Sequence, residues 1–318
     1  MKIHTDLNDS GKILHSLVTV GAFDGLHLGH KSIISRMKKL SEETGGEVVV
    51  VSFDPHPRLV LQHYNKDIRF LSTLPEKTAL LRSFGVDHLI LIPFTEEFSA
   101  TSSEDFIRKM IIPALNPSWF IIGHDHHFGK NREGNIDLLE RLSGEYHFKV
   151  EQLDELMVGS EIVNSTLIRQ YLMTGEVKHA SSLLGYAYAV QGKVVHGNHI
   201  GQKLGFPTAN ISIDDPYKLI PAYGVYAVIV EIEGKTFKGM SNVGIRPTLK
   251  EHSFHMEVNI FDFSADLYGK NIRISFIDRI RDERKFKSLE ELKERLEVDR
   301  LEAMRVIGEA ASEPNRMQ

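Results

Sequence analysis

His27 and His30 stand three residues apart at the end of the stretch Gly21 to His30, which reads GAFDGLHLGH. At that spacing two imidazoles share one face of a helical turn. The apolar run Leu17 to Val20 precedes them, and Ile33, Ile34, Met37 and Leu40 follow at the spacing of a helix face. A strand-to-helix turn is therefore expected. Its glycines let the backbone approach a ligand closely, and the free N–H groups of the first helical turn can bind phosphate. A polyphosphate here would meet backbone donors and two imidazoles, which can stabilise charge at a phosphorus under attack. That is nucleotidyl transfer. For an isolated HxGH, a tight turn beside two surface histidines explains as much, and the flanking GxFDG raises the functional reading above it.

Two further clusters lie downstream in the first half. Gly123-His124-Asp125-His126-His127-Phe128-Gly129 offers imidazoles and a carboxylate, the usual ligands of a transition metal. Donors to a nucleotide are the favoured use, because adjacent residues rarely point at one ion, and Asp125 stands out as a short acceptor or a metal-facing carboxylate. Val163 to Arg169 reads VNSTLIR. There Ser165 and Thr166 are suited to N-cap a helix carrying Arg169, so a phosphate would again find a helix start, hydroxyls and a guanidinium.

The second half offers another chemistry. Gly192 to Asn210 contains spaced glycines and then Thr208 and Asn210, two residues apart. A flexible hairpin is the bland account; a backbone cradle for phosphates, with Thr208 and Asn210 as oxygen ligands to magnesium, is the functional one. A carboxylate base is then required. Glu257, between Met256 and Val258 on a strand, can project toward a primary hydroxyl or can be an ordinary exposed strand residue.

The elements that must position these groups change character along the chain. Apolar and helix-like segments alternate through the first half: Glu47 to Phe53, Thr78 to Phe84, His88 to Pro93, a helix capped by Thr101 with Glu104 and ended by Pro113, and Trp119 to Ile122. This order implies an α/β fold, a parallel sheet covered on both faces with ligands at the carboxyl ends of its strands. After Leu184-Gly185 come Tyr188 to Val195, Gly224 to Ile232, Phe237 to Val243, His255 to Phe261 and Asn271 to Ile280, the spacing of a small antiparallel barrel. Ser288 with Glu291 then caps a terminal helix whose Leu289, Leu292 and Leu296 should pack on it, and the tail from Ser312 to Gln318 is expected to be disordered. Domains at 1–184 and 185–318 follow.

Composition bounds the rest. A chain of 318 residues exceeds one typical domain, and 42% hydrophobic with 25% charged residues suits an ordinary globular protein. Net charge is −5 with a pI near 6.4, so there is no global basic footprint for nucleic acid or anionic membrane. The absence of cysteine excludes disulfides and thiolate metal sites, and no segment resembles a signal peptide or reaches membrane-spanning length. Cytoplasm is the expected compartment.

GAFDGLHLGH and VNSTLIR, in this order, resemble the paired signature of the HxGH nucleotidylyltransferase superfamily, and with SFDPHP and GHDHHFG between them the likeness narrows. The chain is similar to the bacterial bifunctional FAD synthetases, or riboflavin kinase/FMN adenylyltransferases. The resemblance implies a Rossmann-like first domain in which His27 and His30 stabilise the α-phosphate of ATP and Ser165, Thr166 and Arg169 hold the distal phosphates. It also implies nucleotide contacts at Gly21, Phe23, Gly29 and Asp125, and flavin near Asp54. Downstream, GQKLGFPTANI, GVYA, SNVGIRPT, MEVNIFDF, ADLYGK and RDERKFKSLEEL are similar to a riboflavin kinase barrel throughout. By that similarity Thr208 and Asn210 bind Mg²⁺ with ATP, Glu257 is the general base, Gly201, Lys203 and Asn242 lie at the nucleotide, and Arg281, Glu283 and Phe286 lie at the flavin. The implied partners are riboflavin, FMN and ATP, with ATP as co-substrate. Five positions depart from the usual pattern: Ala22, His126, His127, Gln202 and Asn259.

Overall fold

The computed structural model describes every residue except 8–12, 14, 198–200, 202–203, 248–251 and 313–318, and describes only the backbone of 132, 246, 247 and 252–254. Gln202, Lys203 and all but the first residue of the expected disordered tail lie outside the described residues. By contact the chain divides into two compact units, Met1–Ser165 and Thr166–Gln318.

The first unit holds the strands β1 (Lys2–His4), β2 (Leu17–Val20), β3 (Val48–Asp54), β4 (His88–Pro93), β5 (Trp119–Gly123) and β6 (Lys149–Leu153) in one sheet of order β1-β4-β3-β2-β5-β6. Every pairing in it is parallel. Its helices are α1 (Leu28–Thr44), α2 (Pro57–Leu61), α3 (Leu74–Ser83), α4 (Glu96–Ser99), α5 (Ser103–Asp105), α6 (Ile112–Leu115) and α7 (Ile136–Tyr146), followed by the short hairpin β7 (Met157–Val158) and β8 (Glu161–Ile162). A strand buried on both faces can be apolar throughout, and β2 and β3 are. Alternation still sorts their side chains: Leu17, Val48 and Val50 join Ile33, Ile34, Met37 and Leu40 of α1, whereas Val18, Val20, Val49 and Val51 join Phe106, Ile111, Leu139 and Leu142 on the opposite face.

From β2 the chain moves to β3 and β4 on one side of the sheet, and later to β5 and β6 on the other. That reversal opens a crevice at the carboxyl ends of β2 and β5, where ligands of open α/β sheets bind. The turn after β2 is Gly21 to His27; the loop after β5 is His124 to Gly129. Both were singled out from the sequence.

Two helix ends differ from expectation. α3 starts earlier than Thr78, capped by Thr73 in a complete box with Glu76. At the other, Ser102 rather than Thr101 caps α5, accepting from the Asp105 N–H, and the helix continues through a π-helical stretch, Phe106–Ile111, past Pro113 to Leu115. The wide π turn changes which carbonyls seek donors, so the missing N–H of Pro113 falls at the α6 start, where it is tolerated.

The second unit begins with α8 (Ser165–Thr174, whose first residue belongs to the first unit) and α9 (Val177–Leu184). Next come β9 (Ala189–Val195), β10 (Ala209–Ser212), β11 (Gly224–Ile232), β12 (Lys235–Pro247), β13 (His252–Ile260), β14 (Asn271–Arg281) and the terminal helix α10 (Leu289–Ser312). The strands close into an antiparallel barrel of order β10-β13-β12-β11-β14-β9. The helices α8 and α9 group with the barrel: the Ala222 N–H donates to the Leu172 carbonyl, and the Tyr188 N–H to the Ser181 hydroxyl.

α10 packs on the barrel through Leu296, Ala303 and Ile307, while Leu289 is 55% exposed and lies outside that face. Ser288 caps it by accepting from Glu291 N–H, but the Glu291 carboxylate takes the Lys287 N–H, so only half of a capping box forms. What fixes the helix is Asp299, fully buried, which accepts from Arg281 of β14 at 2.7–3.0 Å and from Arg295 at 2.8 Å. A buried carboxylate is tolerable only when so paired.

Candidate active sites

In the first unit the turn after β2 is a demanding piece of backbone. Phe23, Gly25 and Leu26 all have positive φ, at 49°, 78° and 39°, a region most side chains avoid. Asp24, buried between them, holds the turn: its carboxylate accepts from Leu71 N–H at 2.9 Å and Ser72 N–H at 3.0 Å, and the Gly25 N–H donates to the Ser72 hydroxyl at 3.0 Å. Any side chain at Gly25 would collide with Leu71. Asp24→Ala strands two buried N–H groups and should cost about 3 kcal/mol, read as a lower first transition in chemical denaturation; Asp24→Asn, keeping one acceptor oxygen, should cost about half.

The turn delivers His27 as the N-cap of α1, with no side-chain cap bond and no acidic residue in the first turn. The first N–H groups of α1 are thus presented at a helix start with its partial positive charge. His27 and His30 stack with centroids 3.7 Å apart, and Phe23, buried, lies 4.9 Å from His30 on its other side. Gly29 leaves room for this stack: a Cβ there would meet the His27 ring at 3.2 Å, a tight contact that the ring would have to yield to. Gly21 plays the same part for Phe23, whose ring a Cβ would meet at 3.1 Å. These glycines serve the site by letting its own rings in, as well as by exposing backbone.

Burial pushes the His30 imidazole well below its ordinary pKa, and the positive charge that His27, His126 and Lys77 can carry adds to the effect. His30 is therefore neutral at pH 7. Its Nδ1 is buried without a hydrogen-bond partner among the described residues. Ser165 reaches back to the same turn, donating to the Asp24 carbonyl at 3.0 Å. Thr166 and Arg169 follow it on α8, Thr166 exposed and Arg169 half-buried.

Asp54 is exposed at the end of β3, and Asp125 is exposed after β5. The histidine loop does not gather all its rings. His124 and Asp125 come together with Glu155, their ligand atoms within 4.8 Å of one another, close enough to share an ion though all three are exposed. His126 instead turns inward, its ring 5.7 Å from Phe128. Lys77 was not foreseen: buried on α3, its ammonium donates to the Ala22 carbonyl at 3.1 Å and the Ser52 hydroxyl at 3.2 Å. The sequence does carry its signal, because Leu74, Lys77 and Leu81 fall on one helical stripe and a lysine there is out of place.

In the barrel, register does the assembling. Glu257 on β13 lies directly opposite Asn210 on β10 and Asn242 on β12, so three polar side chains project from one face across adjacent strands. Thr208 Oγ1 is 3.5 Å from a Glu257 carboxylate oxygen, and Asn242 Nδ2 is 3.3 Å from His255 Nε2. Thr208, Asn210 and Glu257 form an oxygen-only donor set, the kind a hard cation such as Mg²⁺ takes. Asn259, the departure, is buried and donates to the Pro207 carbonyl at 2.7 Å, so it anchors the segment carrying Thr208. Gly201 closes on the same segment, accepting from the Phe206 N–H at 2.9 Å. Lys203, expected here, lies outside the described residues.

The expected flavin residues are distributed. The guanidinium of Arg281 is engaged by Asp299 and lies 5.6 Å from the Phe286 ring, over which Arg284 sits at 4.6 Å. Glu283 is exposed, its carboxylate filling the space over the Gly244 Cα.

The chain matches the FAD synthetase family over residues 11–167 and the riboflavin kinase family over residues 184–307. It is 36% identical over 298 residues to the bifunctional riboflavin kinase/FMN adenylyltransferase of Listeria monocytogenes, covering 93% of this chain and 94% of the relative. With the Escherichia coli K12 protein of the same name it shares 34% over 293 residues, covering 92% and 93%. A solved structure from Streptococcus pneumoniae, described as a macrolide-efflux protein, superimposes with a TM-score of 0.86 at 32% identity, covering 95% of this chain and 98% of that one. Among the described residues no helix is long and apolar enough to cross a membrane. Both halves of the relatives are present in order, and the chain belongs to the bifunctional riboflavin kinase/FMN adenylyltransferase family.

Proposed function

We propose that this chain makes FAD from riboflavin in two ATP-dependent steps, one in each domain, with the division between them after Leu184. The carrying observation is that the two sites hold different equipment. The first has two stacked imidazoles at an uncapped helix start; the second has a carboxylate set between two amides.

In the barrel, Glu257 accepts the proton of the terminal ribityl hydroxyl as that oxygen attacks the γ-phosphorus of ATP, giving FMN and ADP. Thr208 and Asn210 hold Mg²⁺, which when bound with ATP offsets charge on the phosphates. Gly201 and Asn242 line the nucleotide, with Lys203 assigned there by the family resemblance alone, and Arg281, Glu283 and Phe286 line the flavin. Because Asp299 fixes the Arg281 guanidinium, that residue acts through its backbone and its stacking on Phe286.

In the first domain the FMN phosphate is already an anion, so no base is required. It attacks the α-phosphorus of a second ATP, and pyrophosphate leaves. His27, His30 and the first N–H groups of α1 stabilise charge on the α-phosphate. A neutral His30 suits this, offering a ring N–H to a phosphate oxygen without a proton to lose. Ser165, Thr166 and Arg169 hold the distal phosphates, Gly21, Phe23, Gly29 and Asp125 the nucleotide, and Asp54 the flavin. The substrates are small molecules and the compartment is the ATP-rich cytoplasm.

Incubation of the pure chain with riboflavin, ATP and Mg²⁺, followed by separation of products, should yield FMN and then FAD. FMN alone would remove the adenylyltransferase assignment, and neither product would remove both.

A further inference from the structure

Behind the two histidines lies a cation for which neither reaction has yet a use. Lys77 is 6% exposed and reaches from α3 under the turn after β2, where its ammonium meets the Ala22 carbonyl at 3.1 Å and the Ser52 hydroxyl at 3.2 Å. Ser52, itself fully buried on β3, donates to the same carbonyl at 3.4 Å. One ammonium thus ties together α3, β3 and the turn that carries His27 and His30. Burying an ammonium is costly, and a methionine would fill the same volume without the charge. If the tie were mechanical only, a neutral donor would serve.

The surroundings indicate a charge kept for electrostatic use. Burial pulls the Lys77 pKa down, and the carboxylates Asp24 and Asp54 oppose that, holding the group charged. Asp24 faces it from the turn and Asp54 from the end of β3. His30 is faced by His27 on its own helix start, by His126 after β5 and by Lys77 on α3. All three of these neighbours can carry positive charge. Adenylyl transfer adds an anionic phosphate to this place, and a fixed cation behind the imidazoles favours that charge without reorganisation.

Resting on the adenylyltransferase assignment above, we propose that Lys77 is a positioning residue for adenylyl transfer, locking the turn through Ala22 and holding positive potential behind His27 and His30. It touches no substrate. Its effect should therefore fall on kcat for FAD formation more than on KM for FMN or ATP.

The test compares Lys77→Met, which keeps the volume, with Lys77→Arg, which keeps the charge, in the full chain. Lys77→Met should lower kcat for FMN adenylylation about 10- to 100-fold, with both KM values within about threefold and riboflavin phosphorylation unchanged. Lys77→Arg should recover most of the loss. Titration of His30 in the unliganded chain by ¹⁵N NMR, assigned with His30→Gln, should show its pKa raised in Lys77→Met. The sign follows from removing a like charge: the imidazolium becomes easier to form. Unchanged His30 titration, or equal damage from Lys77→Arg and Lys77→Met, would reduce Lys77 to a structural tie and overturn the proposal. Where Lys77→Met does not fold, Ser52→Ala keeps the cation and removes one of its acceptors. It should lower kcat severalfold with the His30 titration in place, and an unaltered kcat refutes the lock. If the wild-type chain formed no FAD from FMN, the activity assignment would fail on its own, whereas the NMR titration still decides the Lys77–His30 coupling.

Discussion

His30→Ala is expected to lower FAD formation from FMN by about 10²–10³-fold, the usual loss when one transition-state donor is removed, while riboflavin phosphorylation stays at the wild-type rate. The imidazole stacks on His27 at 3.7 Å and is kept neutral by burial, so the substitution removes a donor and also the platform that orients its partner. Supplied with riboflavin and ATP, the variant should accumulate FMN and stop. Liquid chromatography of the flavins over time reads both rates from one reaction. FAD formation at the wild-type rate would detach the turn after β2 from the chemistry.

Glu257→Gln should produce the opposite pattern. It keeps the shape and one carbonyl oxygen of the side chain but removes the base, and loss of a positioned general base costs about 10²–10⁴-fold. Neither FMN nor FAD should form from riboflavin, yet FMN added directly should be converted to FAD normally. Its neighbours make the variant informative: Asn210 and Asn242 flank position 257 in register, so a glutamine can sit there without stranding a charge. Retained phosphorylation would mean that another group takes the proton. Together the two variants separate the reactions within one polypeptide, each serving as the activity control for the other.

The fold was legible where burial is strongest. Leu17 to Val20 and the valine run of β3 can be little else than central parallel strands, and the glycine-bounded turn between β2 and α1 follows from them. The barrel was visible as five strands, but β10 was not seen. Its four residues, ANIS, are poor strand formers, and they become a strand only because β9 and β13 pair with them on either side. Gly244 likewise seemed to end a strand, whereas in the structure it lies in the ladder opposite His255. Leu289 was assigned to the barrel face by periodicity, but the helix meets the barrel about two turns later, from Leu296 on, with Asp299 bound one turn beyond that.

At the sites, residue types and spacing revealed the chemical groups and missed what holds them. His27, His30, Thr208, Asn210 and Glu257 are conspicuous because their chemistry is local to a motif. Asp24, Lys77 and Asn259 act across tens of residues, on Leu71, Ala22 and Pro207, and such partnerships exist only once the chain has folded. The structural use of Asn259 is to fix a backbone carbonyl beside Thr208.

The short first strand carries a consequence of another kind. β1 pairs with β4, from Lys2 opposite His88 to His4 opposite Ile90, and among the described residues no other strand lies beyond it. β4 is apolar and buried through Ile92, so without those three residues its N–H and C=O groups would form an open template for strands of other molecules. β1 is brief and bears Lys2 and His4, with both Lys2 and Ile3 exposed. β1 thus guards that edge of β4 against self-association, and because it lies about 85 residues before β4, closing the edge requires a long-range contact rather than a local hairpin.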